Sequence, residues 1–221
     1  MSIDAINSSS LRAQIITACR QLEASGLNRG TTGNISCRED DHFLVTPSGV
    51  PVDAMTEAGI VAMGFDGQVI GHGKPSSEWH FHRDILRQRS DVQAIVHTHS
   101  PYATALACLR EDLPPFHYMI AIAGGDSIRC APYTLFGTDT LSHYALTALT
   151  ERKACLLANH GLIALGRDLA EAMAIATEVE SLCQQYLIAR QSGTPVLLSA
   201  DEMQQVTERF KTYGRHAASN E

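Results

Sequence analysis

Apolar positions along the chain change their period several times, and those changes divide it into elements. Leu11, Ile15, Ile16, Cys19 and Leu22 recur at helical spacing, and Gly26 ends the run. This predicts a helix after a loose, polar N-terminus over residues 1–9. Residues 34–38 and 42–46 read as two strands, with Glu39-Asp40-Asp41 as the hairpin turn between them. Residues 61–70 predict a second hairpin turned at Asp66-Gly67, and 76–87 a helix capped by Ser76 or Ser77. A strand at 92–96 and a helix at 101–109 follow, then strand-like pieces near Ile120 and Ile128, then a helix at about 139–151. Apolar runs at 155–158 and 162–165 flank Asn159-His160-Gly161 as a tight hairpin, and about 168–190 and 201–212 are helical again. Hairpins bracketed by helices predict an α/β fold. It is a single domain over 1–221, with a central, mostly antiparallel β-sheet flanked by helices.

Composition narrows the partners. An apolar fraction of 44% with 19% charged residues in 221 suits a soluble globule with a sizeable core. The net charge of −7 opposes nucleic-acid binding, which needs a positive field. Longest apolar runs fall well short of the ~18 residues of a membrane span. Six dispersed cysteines, with no C-x-x-C pair, read as buried free thiols. With no signal peptide at the start, they place the chain in a reducing cytoplasm.

Candidate chemistry comes from three separated stretches. A strand puts residues i and i+2 on one face, so His97 and His99, which follow the strand at 92–96, form a chelating pair. His160 in the hairpin turn supplies a third imidazole, and Glu78 a carboxylate within reach. Three protein ligands with an open position is the pattern of a catalytic zinc site. His80 and His82 share the i, i+2 spacing but fall in a predicted helix, ~200° apart around its axis, and read as surface or packing residues. Glu78 has a second reading as a residue favouring the helix dipole near two capping serines. Gly30-Thr31-Thr32-Gly33-Asn34, Thr46-Pro47-Ser48-Gly49 and Ser76-Ser77 are small, donor-rich loops able to surround a phosphate with neutral donors. No G-K-[ST] occurs, so none is a P-loop. Lys74, Lys153 and Lys211 are the only lysines, and no apolar strand embeds one as a Schiff-base lysine requires.

These motifs together resemble the class II aldolase/adducin-head family, nearly end to end, from Gly26-Leu27-Asn28 to Lys211-Thr212-Tyr213-Gly214. The resemblance implies a three-layer fold and Zn2+ held by His97, His99 and His160. Glu78 is then the acid/base, resting on the metal when no substrate is bound. Gly33, Asn34, Ser48, Gly49, Ser76 and Ser77 bind the phosphate, and Tyr118 and Tyr213 act at the aldehyde end. The implied reaction cleaves a ketose 1-phosphate, similar to L-fuculose 1-phosphate, to dihydroxyacetone phosphate and a hydroxyaldehyde. Aldol cleavage of a 5-deoxy- or methylthio-ribulose 1-phosphate stands beside it, as do decarboxylation, dehydration or epimerisation of a sugar phosphate. So does a non-catalytic interaction module. A homotetramer with active sites between neighbouring subunits is implied as well.

Overall fold

The computed structural model describes residues 3–212. Helix α1 (Ile3–Ala24) leads into strands β1 (Asn34–Glu39), β2 (His42–Val45), β3 (Val61–Gly64) and β4 (Val69–Ile70). Helix α2 (Trp79–Gln88), strand β5 (Ala94–Thr98) and helix α3 (Pro101–Leu109) follow. Beyond them come β6 (Cys130–Ala131), α4 (Asp139–Ala148), the hairpin β7 (Ala154–Leu157) and β8 (Gly161–Gly166), and helices α5 (Leu169–Ser192) and α6 (Ala200–Thr212). The strands make one eight-stranded sheet in the order β4-β3-β2-β1-β5-β8-β7-β6, antiparallel at every pairing except β6 with β7.

Strand alternation assigns each side chain to a face. Ile35, Leu44, Val96 and Leu162 pack with α1, α3 and α5 through residues such as Leu22, Leu106 and Val179. Phe43, Val45, Ile95 and Ile163 pack the other way, onto Phe81 and Ile85 of α2 and Leu141 of α4. This is the predicted three-layer α/β arrangement. Asn34, Ser36 and His97 have the parity of Ile95 and so belong to the α2 face. Among the described residues, no helix is long and apolar enough to cross a membrane.

Three expectations need correction. The helix predicted to begin after residue 9 reaches back to Ile3. Serines cost a helix interior only a few tenths of a kcal/mol each, so a packed helix propagates through them. The strand near Ile120 is a 3-10 helix, Tyr118–Ala123. Its i, i+3 residues Ile120 and Ala123 are both fully buried, which is the period of that helix. Finally, α2 starts at Trp79 rather than Ser76. Ser76 N–H donates to Thr46 O at 2.9 Å, and Pro75 bridges to Pro47, so this segment is spent on an extended pairing.

Helices α2 and α4 are joined by a half-buried acidic contact. Asp84 accepts from Arg83 Nε at 2.7 Å and from Ser142 Oγ at 2.6 Å. Burial opposes its ionisation, but the bonds from Arg83 and Ser142 hold its pKa below the ordinary carboxylate value. A depressed folded pKa means the stabilisation is complete above about pH 4 and is lost as pH falls through the folded value. Asp84→Asn is therefore expected to lower stability by about 1–2 kcal/mol at pH 7, with the gap to wild type closing as pH falls through the depressed pKa of Asp84. Thermal melts of both proteins across that range measure it.

Candidate metal centre

One end of the sheet collects the chemistry. β1 starts there with Asn34, β5 ends there with His97 and Thr98, and the β7–β8 turn presents His160. Register places Asn34 directly beside His97, and His97 beside Ile163. Asn159 takes φ 55 in the turn, a conformation asparagine tolerates. Gly161 then passes so close to β5 that a Cβ there would lie 2.2 Å from Thr98 O and 3.2 Å from His99 Cδ2. Only glycine allows the hairpin to bring His160 onto the His97-His99 pair. The ring centroids stand 4.9 Å apart for His97–His99 and 4.8 Å for each of the other two pairs, with the rings near perpendicular.

Glu78 completes the cluster from the N-terminus of α2. Its Oε2 lies 3.2 Å from His97 Nε2, and its Oε1 lies 3.2 Å from His160 Nε2. Asn34 Nδ2 donates to Oε2 at 2.9 Å. His97 Nδ1–H donates to Leu162 O at 2.9 Å, which leaves the lone pair on Nε2. That nitrogen sits 3.0 Å from His99 Nε2. One ligand atom from each of Glu78, His97, His99 and His160 falls within 4.8 Å of the others. Glu78 Oε1 is buried without hydrogen-bond geometry to any described residue. So many lone pairs converge only around a proton or a cation, and the donor set, three imidazoles and a carboxylate, suits zinc.

The electrostatics agree. Burial above all, with the neighbouring His97 and His160 imidazoles adding to it, pushes the His99 imidazole down to about 3, so it is neutral at pH 7. Burial works against ionisation of Glu78, but the charge of His97 and the contacts of His160 and His97 outweigh it and hold the carboxyl well below its usual range.

The three donor-rich loops open into the same cavity. Ser48 N–H donates to Lys74 O at 3.0 Å, clasping the second loop to the third. Asn28 Oδ1 accepts from His99 N–H at 3.0 Å, and the Asn28 amide fills the space a Cβ on Gly33 would need, tying the first loop to the histidine pair. Gly33, Asn34, Ser48, Gly49, Ser76 and Ser77 line this cavity together with Glu78, His99 and His160. Asn34 lines the cavity and also engages its side-chain amide with Glu78 and, through Oδ1, with His82 Nε2 at 2.5 Å. Tyr118 is not brought to this cavity. It lies 51% exposed on the 3-10 helix, beside α6 residues Val206 and Phe210. Tyr213 lies outside the described residues.

Sequence reasoning missed Tyr133 and Phe136, which line the cavity from a loop without periodicity. It also missed the polar role of His82, which is fully buried. A signal for His82 existed. Glu78 and His82 are spaced i, i+4, so the two share a side of the chain entering α2.

A layered α/β domain with a carboxylate and three imidazoles at one sheet end, beside small donor loops, has the donor set to hold a divalent cation next to a cavity lined with neutral donors. The family described as Class II Aldolase and Adducin N-terminal domain matches residues 13–187, and the chain belongs to it. It is 52% identical to a 5-methylthioribulose-1-phosphate/5-deoxyribulose-1-phosphate aldolase of Rhodospirillum rubrum, covering 94% of each chain. It is 46% identical to L-fuculose phosphate aldolase of Escherichia coli, over 92% of this chain and 95% of that one. A solved structure of L-fuculose 1-phosphate aldolase superposes with a TM-score of 0.88 at 40% identity, covering 91% of this chain and 96% of the other. The protein is a class II aldolase, and zinc is the cation of that class.

Proposed function

We propose that the protein reversibly cleaves a ketose 1-phosphate to dihydroxyacetone phosphate and an aldehyde with an apolar tail. 5-Deoxy- and methylthio-ribulose 1-phosphates are its preferred substrates, and L-fuculose 1-phosphate is accepted. The observation that carries the reading is Glu78, held beside three imidazoles and facing a cavity built from three phosphate-sized donor loops. Tyr133 and Phe136, 56% and 60% exposed, line that cavity too and offer an apolar surface to the leaving aldehyde. All three proposed substrates release an aldehyde ending in a methyl or methylthio group.

His97, His99, His160 and Glu78 would hold the zinc. When bound, it supplies Lewis acidity at the C2 carbonyl and stabilises the charge that builds there as C3–C4 breaks. Main-chain N–H groups and hydroxyls of the loops, Ser48, Ser76 and Ser77 among them, fix the phosphate. The ionised Glu78 carboxylate takes up the C4 hydroxyl proton as C3–C4 breaks and the aldehyde leaves. Glu78 then returns that proton to C3 and leaves dihydroxyacetone phosphate. Tyr118 and Tyr213 act at the aldehyde end. Tyr118 lies away from its own chain's cavity, among the apolar Met119, Ile122 and Val206, which supports a homotetramer whose copies share active sites. Six free thiols, four of them buried, support a cytoplasmic setting.

Purified protein tested on a panel of ketose 1-phosphates, with dihydroxyacetone phosphate measured by a coupled assay, decides the reading. The apolar-ended substrates are expected to exceed ribulose 1-phosphate by about 10-fold or more in kcat/KM, the scale of one or two methylene-sized contacts. Release of carbon dioxide, or of an epimer without dihydroxyacetone phosphate, refutes it.

A further inference from the structure

Behind Glu78 runs a line of buried hydrogen bonds that the aldolase chemistry does not itself require. Ser36 Oγ lies 2.7 Å from His82 Nδ1, His82 Nε2 lies 2.5 Å from Asn34 Oδ1, and Asn34 Nδ2 lies 2.9 Å from Glu78 Oε2. Ser36 and His82 are fully buried, and Asn34 and Glu78 each retain 6% exposure. We propose that His82 is a positioning residue: it locks the Asn34 amide so that its N–H, rather than its carbonyl oxygen, faces Glu78, and thereby fixes the carboxylate for proton transfer.

The direction of every bond follows from chemistry. An ionised carboxylate only accepts, so the Asn34 group facing it is the NH2, and a flipped amide would set two oxygens against each other. Asn34 Oδ1 then faces His82 and demands a donor, which is Nε2–H. A neutral imidazole with hydrogen on Nε2 carries its lone pair on Nδ1, which the Ser36 hydroxyl satisfies. Burial, first of all, pushes the His82 pKa down to about 3 and keeps the ring neutral, and the two hydrogen bonds then select the tautomer. Three donors therefore point the same way, each polarising the next toward Glu78. Phe81 packs edge-on against His97 from the same helix, so α2 sets both the carboxylate and its support.

A packing role alone predicts something different. A buried histidine that merely fills space is replaced acceptably by any residue of similar volume. A positioning histidine is replaced only by a side chain that still donates to Asn34 Oδ1. Glutamine carries its amide N–H near the place of imidazole Nε2, whereas leucine offers volume without a donor.

The proposal rests on the aldolase reading for its kinetic test only. In the zinc-loaded enzyme, His82→Leu is expected to lower kcat by about 10–100-fold, with KM within about threefold and zinc content unchanged. His82→Gln is expected to stay within about threefold of wild type. If leucine costs nothing, or if glutamine falls as far as leucine, the proposal is overturned. A second measurement needs no variant. Nitrogen-15 spectra of the wild-type holoenzyme are expected to show His82 protonated at Nε2 and bare at Nδ1, and hydrogen on Nδ1 overturns the proposal even where the leucine variant fails to fold. Should the wild type cleave no ketose phosphate at all, the aldolase reading fails while these spectra still judge the hydrogen-bonded line.

Discussion

Removing the divalent cation with a chelator will abolish aldol cleavage, zinc will restore it, and His97→Ala will abolish it beyond rescue. His97 is fully buried and its Nδ1–H is committed to Leu162 O, so the ring has one orientation, with Nε2 turned to the cluster. A shortened side chain removes the His97 nitrogen that lies 3.2 Å from Glu78 Oε2 and 3.0 Å from His99 Nε2. Several kcal/mol of charge stabilisation in the transition state then disappear, and each 1.4 kcal/mol is about tenfold in rate. A loss on the order of 10³-fold or more is expected, with zinc content per chain falling well below that of wild type. The same experiment separates zinc from Schiff-base chemistry. Lys153 is paired with Glu171 at 2.7 Å, and Lys74 sits in the loop that Ser48 binds through the lysine's carbonyl. Neither has the apolar burial that would make a lysine nucleophilic at neutral pH. Metal-free protein retaining more than about one part in a hundred of the activity would end the zinc assignment.

Local geometry explains what could be read from the sequence. His97 and His99 converge because alternation along an extended segment is a property of two consecutive steps, and it survives although His99 lies just past the end of β5. His160 was legible from the two apolar runs that bracket a three-residue turn. The loop at Ser48 and the loop at Ser76 were legible as donors, but their mutual clasp through Lys74 O was not. The bond from Asn34 to Glu78 spans 44 residues and that from His82 to Asn34 spans 48. No periodicity encodes a contact of that range. The polar contact by which β1 and α2 face each other through Asn34 and His82 is therefore invisible in the sequence. The 3-10 helix at Ile120 has a related cause. Alternating apolar and small residues suit a strand, and only the burial of Ile120 with Ala123 separates the two periods.

Glu78→Gln is expected to lower kcat by about 10³-fold while zinc remains bound, since the three imidazoles are untouched. The carboxylate has a competing structural explanation at the start of a helix. Glu78 occupies the N-cap position of α2, yet among the described residues its side chain makes no capping bond, and its oxygens turn instead to Asn34, His97 and His160. Capping thus explains little of its placement, and the melting temperature of the variant is expected to change by only a few degrees. Proton transfer at carbon gives the discriminating readout. Dihydroxyacetone phosphate alone, incubated with wild-type enzyme in heavy water, is expected to exchange one hydrogen at its hydroxymethyl carbon, because the reverse reaction begins with that abstraction. Glu78→Gln is expected to lose this exchange to the same extent as cleavage. Glu78→Asp, which withdraws the carboxylate by one methylene from atoms now 3.2 Å away, is expected to fall between the two. Exchange that persists in the glutamine variant while cleavage is lost would transfer the carbon acid–base role to another group and leave Glu78 a metal ligand alone.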